Sequence, residues 1–271
     1  MLRASVSVLA FVACGSLAVA ADLEGPSYLG SLKDDVAAPV AQNWSGLYIG
    51  LHAGYGWGEH EGTGLYDADE MFRGGFDIEG GLAGGQIGYN FQTGSLVLGI
   101  EADASWTDID GSGAFDIGPT GNPTYRWDIQ TDVEWLASLR GRIGLLLTPT
   151  FLIYGTGGVA WADINSRQQS FCYAAGRNCA VDVQVTDTSS SETVVGWVAG
   201  LGAEWQFAQG WSLKAEWQHY DFGDVDTKFH GVANPNGLQG GVTNENYTND
   251  TFPGDLTLDV IRLGVNYKFG N

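Results

Sequence analysis

Residues Ile261-Arg262-Leu263-Gly264-Val265-Asn266-Tyr267-Lys268-Phe269 carry an apolar or aromatic side chain at every second position, with Arg, Gly, Asn and Lys between them. Successive side chains of a strand point to opposite faces, so this segment presents one greasy face and one polar face. Any half-buried strand does the same, and one such stretch decides little. Eight of them, each about ten residues long, are the signature of strands that cross a bilayer as a closed barrel.

At the N-terminus Arg3 precedes an apolar run from Val6 to Val12, and Ala18-Val19-Ala20 follows with an A-x-A cleavage pattern. This reads as a secretory leader over residues 1–20. Its apolar run is too short for a membrane-spanning helix, and no later segment offers some twenty apolar residues in succession. A membrane contact in the mature chain therefore has to be made by strands. Residues 21–43 hold Pro26, Pro39 and several charges without apolar periodicity, which predicts a flexible periplasmic lead-in before a domain over 44–271. With 41 Gly and only 16% charged residues, that domain suits an all-β protein better than a helical one.

The formal net charge of −20 excludes nucleic acid as a partner, because phosphate binding needs a basic surface. Cys172 and Cys179 enclose six residues, a spacing that in an exported protein predicts a disulfide closing a small loop. Two cysteines without a nearby His or a CxxC make no metal site, and no cofactor motif is present.

The strands read as about 44–57, 82–92, 96–106, 127–147, 151–165, 193–207, 211–222 and 261–269. Glycines in Tyr154-Gly155-Thr156-Gly157-Gly158 leave the phase of the fifth ambiguous. Connections of a few residues at 93–95, 148–150 and 209–210 alternate with long ones at about 58–80, 107–126, 166–192 and 223–255. Eight antiparallel up-and-down strands need three turns on the side of the termini and four loops opposite, and in outer-membrane barrels the short turns are periplasmic. The long connections hold much of the acid, including Asp67, Asp69, Glu70, Asp77, Glu79, Asp116, Asp224, Asp226, Glu245 and Asp250.

Alternation alone does not say which face is inside, and a soluble ligand-binding barrel would turn its apolar face inward. Aromatics gathered at strand ends favour lipid outside: Trp44, Trp57, Tyr89, Phe91, Trp106, Trp135, Trp161, Trp205, Phe207, Trp211, Tyr267 and Phe269 fit two interfacial girdles. The polar face is rich in Gly and carries both signs of charge, as the lumen of a narrow barrel would. Glu101 and Asp103 on the third strand face Arg140 and Arg142 on the fourth, so these charges can satisfy one another inside.

Trp44-Ser45-Gly46-Leu47-Tyr48-Ile49-Gly50, with Gly54-Tyr55-Gly56-Trp57 after it, resembles the first strand of the small outer-membrane β-barrels of the porin family or outer-membrane immunogenic protein type. Gly84-Gly85-Gln86-Ile87-Gly88-Tyr89-Asn90, Tyr154-Gly155-Thr156-Gly157-Gly158-Val159-Ala160 and Tyr220-Asp221-Phe222-Gly223 resemble their second, fifth and seventh strands. The resemblance covers residues 44–271. It implies an OmpA-like eight-stranded barrel, monomeric or loosely associated, in the outer membrane of a Gram-negative bacterium, with lipid and lipopolysaccharide around it. Arg262, Gly264, Tyr267 and Phe269 are similar to the terminal signal such barrels present to the assembly machinery, followed here by Gly270 and Asn271.

The lumen of eight strands is just wide enough for side chains to fill it. Glu101, Asp103, Arg140, Arg142, Glu204, Lys214, Glu216, Arg262 and Lys268 therefore read as an ion-pair network in a structural, surface-exposed protein of the cell envelope. The same residues would line a narrow conduit for small solutes or ions. His219 and Asp221 share a face at the end of the seventh strand, the one arrangement that suggests a rim-site hydrolase, although no nucleophile accompanies them. His52 faces the lumen and reads as a satisfied interior histidine.

Overall fold

A computed structural model describes residues 43–66, 70–117, 125–172, 183–228, 230–232, 246–247 and 251–270. The leader, all of the lead-in except Asn43, and Cys179 of the expected disulfide lie outside the described residues.

Eight long strands form a closed antiparallel ring: β1 (Gly46–Tyr66), β2 (Glu70–Thr93), β3 (Leu96–Ile117), β4 (Tyr125–Thr148), β5 (Phe151–Cys172), β6 (Val183–Ala208), β7 (Trp211–Lys228) and, after two short strands, β10 (Thr251–Lys268). Each pairs with its neighbours in sequence, and β10 closes on β1 from Tyr48↔Lys268 to Gly62↔Gly254. The short strands β8 (His230–Val232) and β9 (Asn246–Tyr247) lie outside the ring, β8 against Thr188 and Ser189 of β6 and β9 against β8. Two-residue turns at 94–95, 149–150 and 209–210 join the strands at one end, with Gly94 and Gly210 at φ 60° and 77°.

The outer wall carries an apolar belt. On β1 Leu47, Ile49, Leu51, Tyr55 and Trp57 point outward. From Leu47 to Trp57 the strand runs roughly 34 Å, or about 25 Å in height at the usual tilt, which matches the apolar band of a membrane barrel. Val159, Trp161 and Ile153 face outward on β5 while Leu152, Tyr154 and Ala160 are buried, which resolves the phase of the fifth strand. Trp44 is a correction: it belongs to no girdle but is buried inside the ring at its turn end.

The strands continue well past this belt, so the long connections read at 58–80, 107–126, 166–192 and 223–255 are largely strand. Beyond the belt the side chains of β2, β3 and β10 keep their in-and-out parity but the two faces exchange polarity. Asp77, Glu79, Asp108, Asp110 and Asp255 point out, and Ile78, Ile109, Leu256, Leu258 and Val260 point in. The reason is the surroundings: below the switch the outside is suited to hydrocarbon, and above it to water. On β4 the apolar residues, Leu136 apart, stay at odd positions from Ile129 to Leu145 and a bulge exchanges the faces instead, with Glu134 and Trp135 both outward between Val133 and Leu136.

Two ladders stop where this upper region begins. The β2–β3 pairing ends at Glu79↔Asp110 and the β6–β7 pairing at Trp197↔Asp221, while all other pairings run on. Above these points the ring consists of two four-stranded sheets, β7-β10-β1-β2 and β3-β4-β5-β6. Ile78, Leu82, Phe222, Leu256 and Leu258 of one meet Ile109, Val133, Leu136, Ile164 and Val198 of the other in a single apolar core.

Candidate functional site

Below that core the lumen holds four cations and four carboxylates, all buried: Arg140, Arg142, Lys214 and Arg262 with Glu101, Asp103, Glu204 and Glu216. Their formal charges cancel. Alternation on five different strands brings them to one level, because each strand contributes its inward residues there.

Arg140 is the hub. Its guanidinium donates to Glu101 Oε1 at 2.5 Å, to Asp103 Oδ2 at 2.9 Å and to Glu216. Lys214 Nζ lies 2.8 Å from Glu101 Oε1 and 3.2 Å from Glu216 Oε2. Arg262 donates to Asp103 Oδ1 at 2.8 Å. Arg142 makes a separate pair with Glu204 at 2.8 Å and lies over the ring of Tyr154, 4.0 Å from its centroid. Tyr48 joins the two groups, donating to Glu101 Oε2 at 2.7 Å and accepting from Arg142 at 3.1 Å. In strand register Arg140 stands opposite Glu101 and Arg262 opposite Glu216, whereas Arg142 stands opposite Gly99 and Asp103 opposite Ser138, so the contacts of Arg140 with Glu216, Lys214 with Glu101, Arg142 with Glu204 and Arg262 with Asp103 reach across the lumen rather than along a ladder.

Eight of the nine charged residues read from the sequence meet in this cluster. Lys268 does not: its ammonium sits at the turn end, donating to the carbonyl of Asn43. Arg262 serves in the cluster, while Tyr267 and Phe269 lie outside on the belt and Gly264 faces in.

The network is closed off on both sides. Toward the turns lie Trp44, Val97, Leu152 and Tyr154, with Leu146 against them. Trp44 is held by its indole N–H on Pro149 O at 3.0 Å and by its amide on Gln92 Oε1 at 2.8 Å. Toward the other end lies the apolar core, capped by buried His60, Thr131, Ser166 and Gln168. The sequence signal for the apolar layer is the phase inversion, visible as Leu256, Leu258 and Val260 against Ile261, Leu263 and Val265.

His52 is held by Gln86 and, at 2.7 Å, by Ser105 Oγ. His219 points outward and pairs with Asp259 of β10 at 3.0 Å, between Trp197 and Trp217. It does not pair with Asp221, whose carboxylate accepts the amide of Gly223, so the His219–Asp221 arrangement suggested by spacing is not formed. Neighbours two apart on a strand share a face, but the next strand is closer. Among the described residues no three His, Cys, Asp or Glu side chains converge as a metal site.

Residues 7–269 match the outer membrane protein beta-barrel domain family. The chain is 32% identical over 245 residues to the 31 kDa outer-membrane immunogenic protein of Brucella melitensis, covering 86% of this chain and 87% of that one. It is 28% identical over 195 residues to a 22 kDa outer membrane protein of Rhizobium leguminosarum, covering 70% of each. Among solved structures it is similar to the outer membrane protein OprG from Pseudomonas aeruginosa, at 12% identity and a TM-score of 0.39, covering 84% of this chain and 97% of that one.

Proposed function

The chain belongs to the outer membrane protein beta-barrel domain family, and from that premise we propose that it is a non-enzymatic, structural protein of the bacterial outer membrane whose lumen is filled rather than open. The observation that carries this reading is the stack of four layers inside the ring: apolar plug, neutral ion network, apolar core and polar cap. A permeation path needs a continuous polar lining, and here a dry core of Ile, Leu and Val lies across it. The ion network then acts as a rigid crosslink between strands, and the outer wall contacts lipid and lipopolysaccharide. We further propose that residues 1–20 are removed on export, that both termini and the short turns are periplasmic, that Tyr267 and Phe269 serve the assembly machinery, and that Cys172 and Cys179 form a disulfide.

Planar bilayers test the reading. Purified barrel should give no steady conductance. Reproducible single-channel steps whose ion preference changes with Arg142→Gln would replace it by a narrow conduit lined by the same charges.

A further inference from the structure

Followed in register from strand to strand, one row of outward positions climbs the wall. It leaves Ile100 in the belt of β3, passes Gly141, Gly157 and Ala199, and reaches His219 of β7 and Asp259 of β10. Beyond them it continues through Trp57 and Glu79 and returns to β3 at Asp110, above the belt. The row thus rises from hydrocarbon depth to the upper edge of the belt, as strand tilt in a closed barrel requires.

Across β4, β5 and β6 this row is a groove. Gly141, Gly157 and Ala199 form its floor with Gly155 beside them, and its volume is about 720 Å³, in the range of small-molecule sites. In register, Leu139, Val159 and Trp197 stand along its far side and Ile143, Leu201 and Trp217 along the side nearer the turns, all exposed. Packing does not demand these glycines. A Cβ on Gly141, Gly155 or Gly157 would meet nothing nearer than 3.6 Å, an ordinary contact, whereas one on the inward Gly158 would strike the carbonyl of Leu139.

The upper end of the groove is polar. His219 Nδ1 lies 3.0 Å from Asp259 Oδ1, and its ring sits between Trp197 and Trp217, with centroids 5.6 and 6.4 Å away. A carboxylate only accepts, so Nδ1 carries the shared hydrogen, and Nε2 of the neutral ring is left as an acceptor. Asp221, on the same face of β7, adds a second carboxylate. Two carboxylates repel a phosphate but accept from hydroxyls, and the indoles offer apolar faces beside them. Below lies bare hydrocarbon surface. His219 and Ile100 are four interstrand spacings apart, roughly 19 Å, which leaves room for an extended chain.

We infer that this groove binds a glycolipid with an uncharged sugar head, its chain lying along Gly141, Gly157 and Ala199 and its sugar against His219, Asp259 and the two indoles. The inference rests on the reading that the outer wall faces lipid, and narrows a general lipid contact to one site.

The test places the mature chain in bilayer discs of deuterated phosphatidylcholine and titrates dodecyl glucoside, with dodecylphosphocholine as the same chain on a phosphate-bearing head. Glucoside binding should saturate, with magnetisation transfer from its methylenes to the amides of Gly141, Gly157 and Ala199 and from its sugar protons to the His219 ring. It should bind about tenfold more tightly than the phosphocholine. Gly141→Leu and Gly157→Leu, two independent fillings of the floor, should each weaken it about tenfold. His219→Phe should reduce it to the phosphocholine level while the chain contacts persist, and every variant should keep its heat-modifiable gel mobility. Equal binding of the two heads, transfer spread evenly round the belt, or indifference to both fillings would overturn the proposal and leave the lipid-facing wall intact. A chain that stays dissolved and enters no bilayer would overturn that wall and this site with it.

Discussion

Gln86 on β2 donates its side-chain amide to Asn266 Oδ1 on β10 at 2.7 Å, passing over β1 at Gly50. The bond spans the closure of the ring, tying the second strand to the last across the first. Asn266 continues the chain, donating to Glu204 at 2.8 Å.

A Cβ on Gly50 would collide with both Asn266 Oδ1 and Gln86 Nε2. Gly50→Ala should therefore destabilise the barrel by about 1–3 kcal/mol, as overpacking does. Gln86→Ala, which removes the bond without a clash, should cost about 1 kcal/mol. Urea unfolding followed by tryptophan fluorescence in lipid vesicles measures both. If Gly50→Ala costs less than Gln86→Ala, the close crossing is not a constraint.

Arg140→Met leaves Glu101, Asp103 and Glu216 short of their shared cation. Breaking a buried pair from one side costs about 3–5 kcal/mol, and here three carboxylates lose their hub. Lys268→Met, at the edge of the turn end, should cost about 1 kcal/mol or less. The same unfolding assay ranks the two, and comparable losses would mean that Arg140 is no hub.

Trp44 closes the turn end but does not stand alone in the lumen. Trp44→Ala should cost about 3–5 kcal/mol as a buried large-to-small change, and it should still give no steady conductance because the ion network and apolar core remain. Channel steps in Trp44→Ala, absent from the parent, would make this residue the sole seal.

Asp132 faces Asp110 above the belt, and its carboxyl is raised above the ordinary aspartate value by partial burial and then by the charge of Asp110. In a carbon-detected NMR titration its midpoint should lie above that of a free aspartate, and Asp110→Asn should move it down. An unchanged midpoint would show that the two carboxylates do not sense each other.

Much of this was legible in the residues. The belt strands and eight of the cluster charges follow from alternation with period two, because a bilayer outside makes the contrast between faces large. The upper strands were hidden for a physical reason. Past Trp106 on β3 and Ile261 on β10 the wet face becomes acidic or small and the inner residues become Ile109 and Leu256, Leu258 and Val260, while on β1 past Trp57 the described inner face holds only Gly58 and His60, so a reader who follows the apolar positions loses the strand. The partner of His219 is not legible, because spacing along one strand says nothing about the carboxylate on the next, where Asp259 lies 3.0 Å away. The partners of Arg140 across the lumen are likewise set by ring closure rather than by any local pattern.

The change of phase along β10 leaves the chain intolerant of miscounting. One residue inserted between Val260 and Ile261 would turn Leu256 and Leu258 toward water and swing Asp255 and Asp259 into the dry interior, while everything nearer the C-terminus kept its place. Length between these two halves is thus as constrained as chemistry, and a deletion there should be as damaging as the loss of any single side chain.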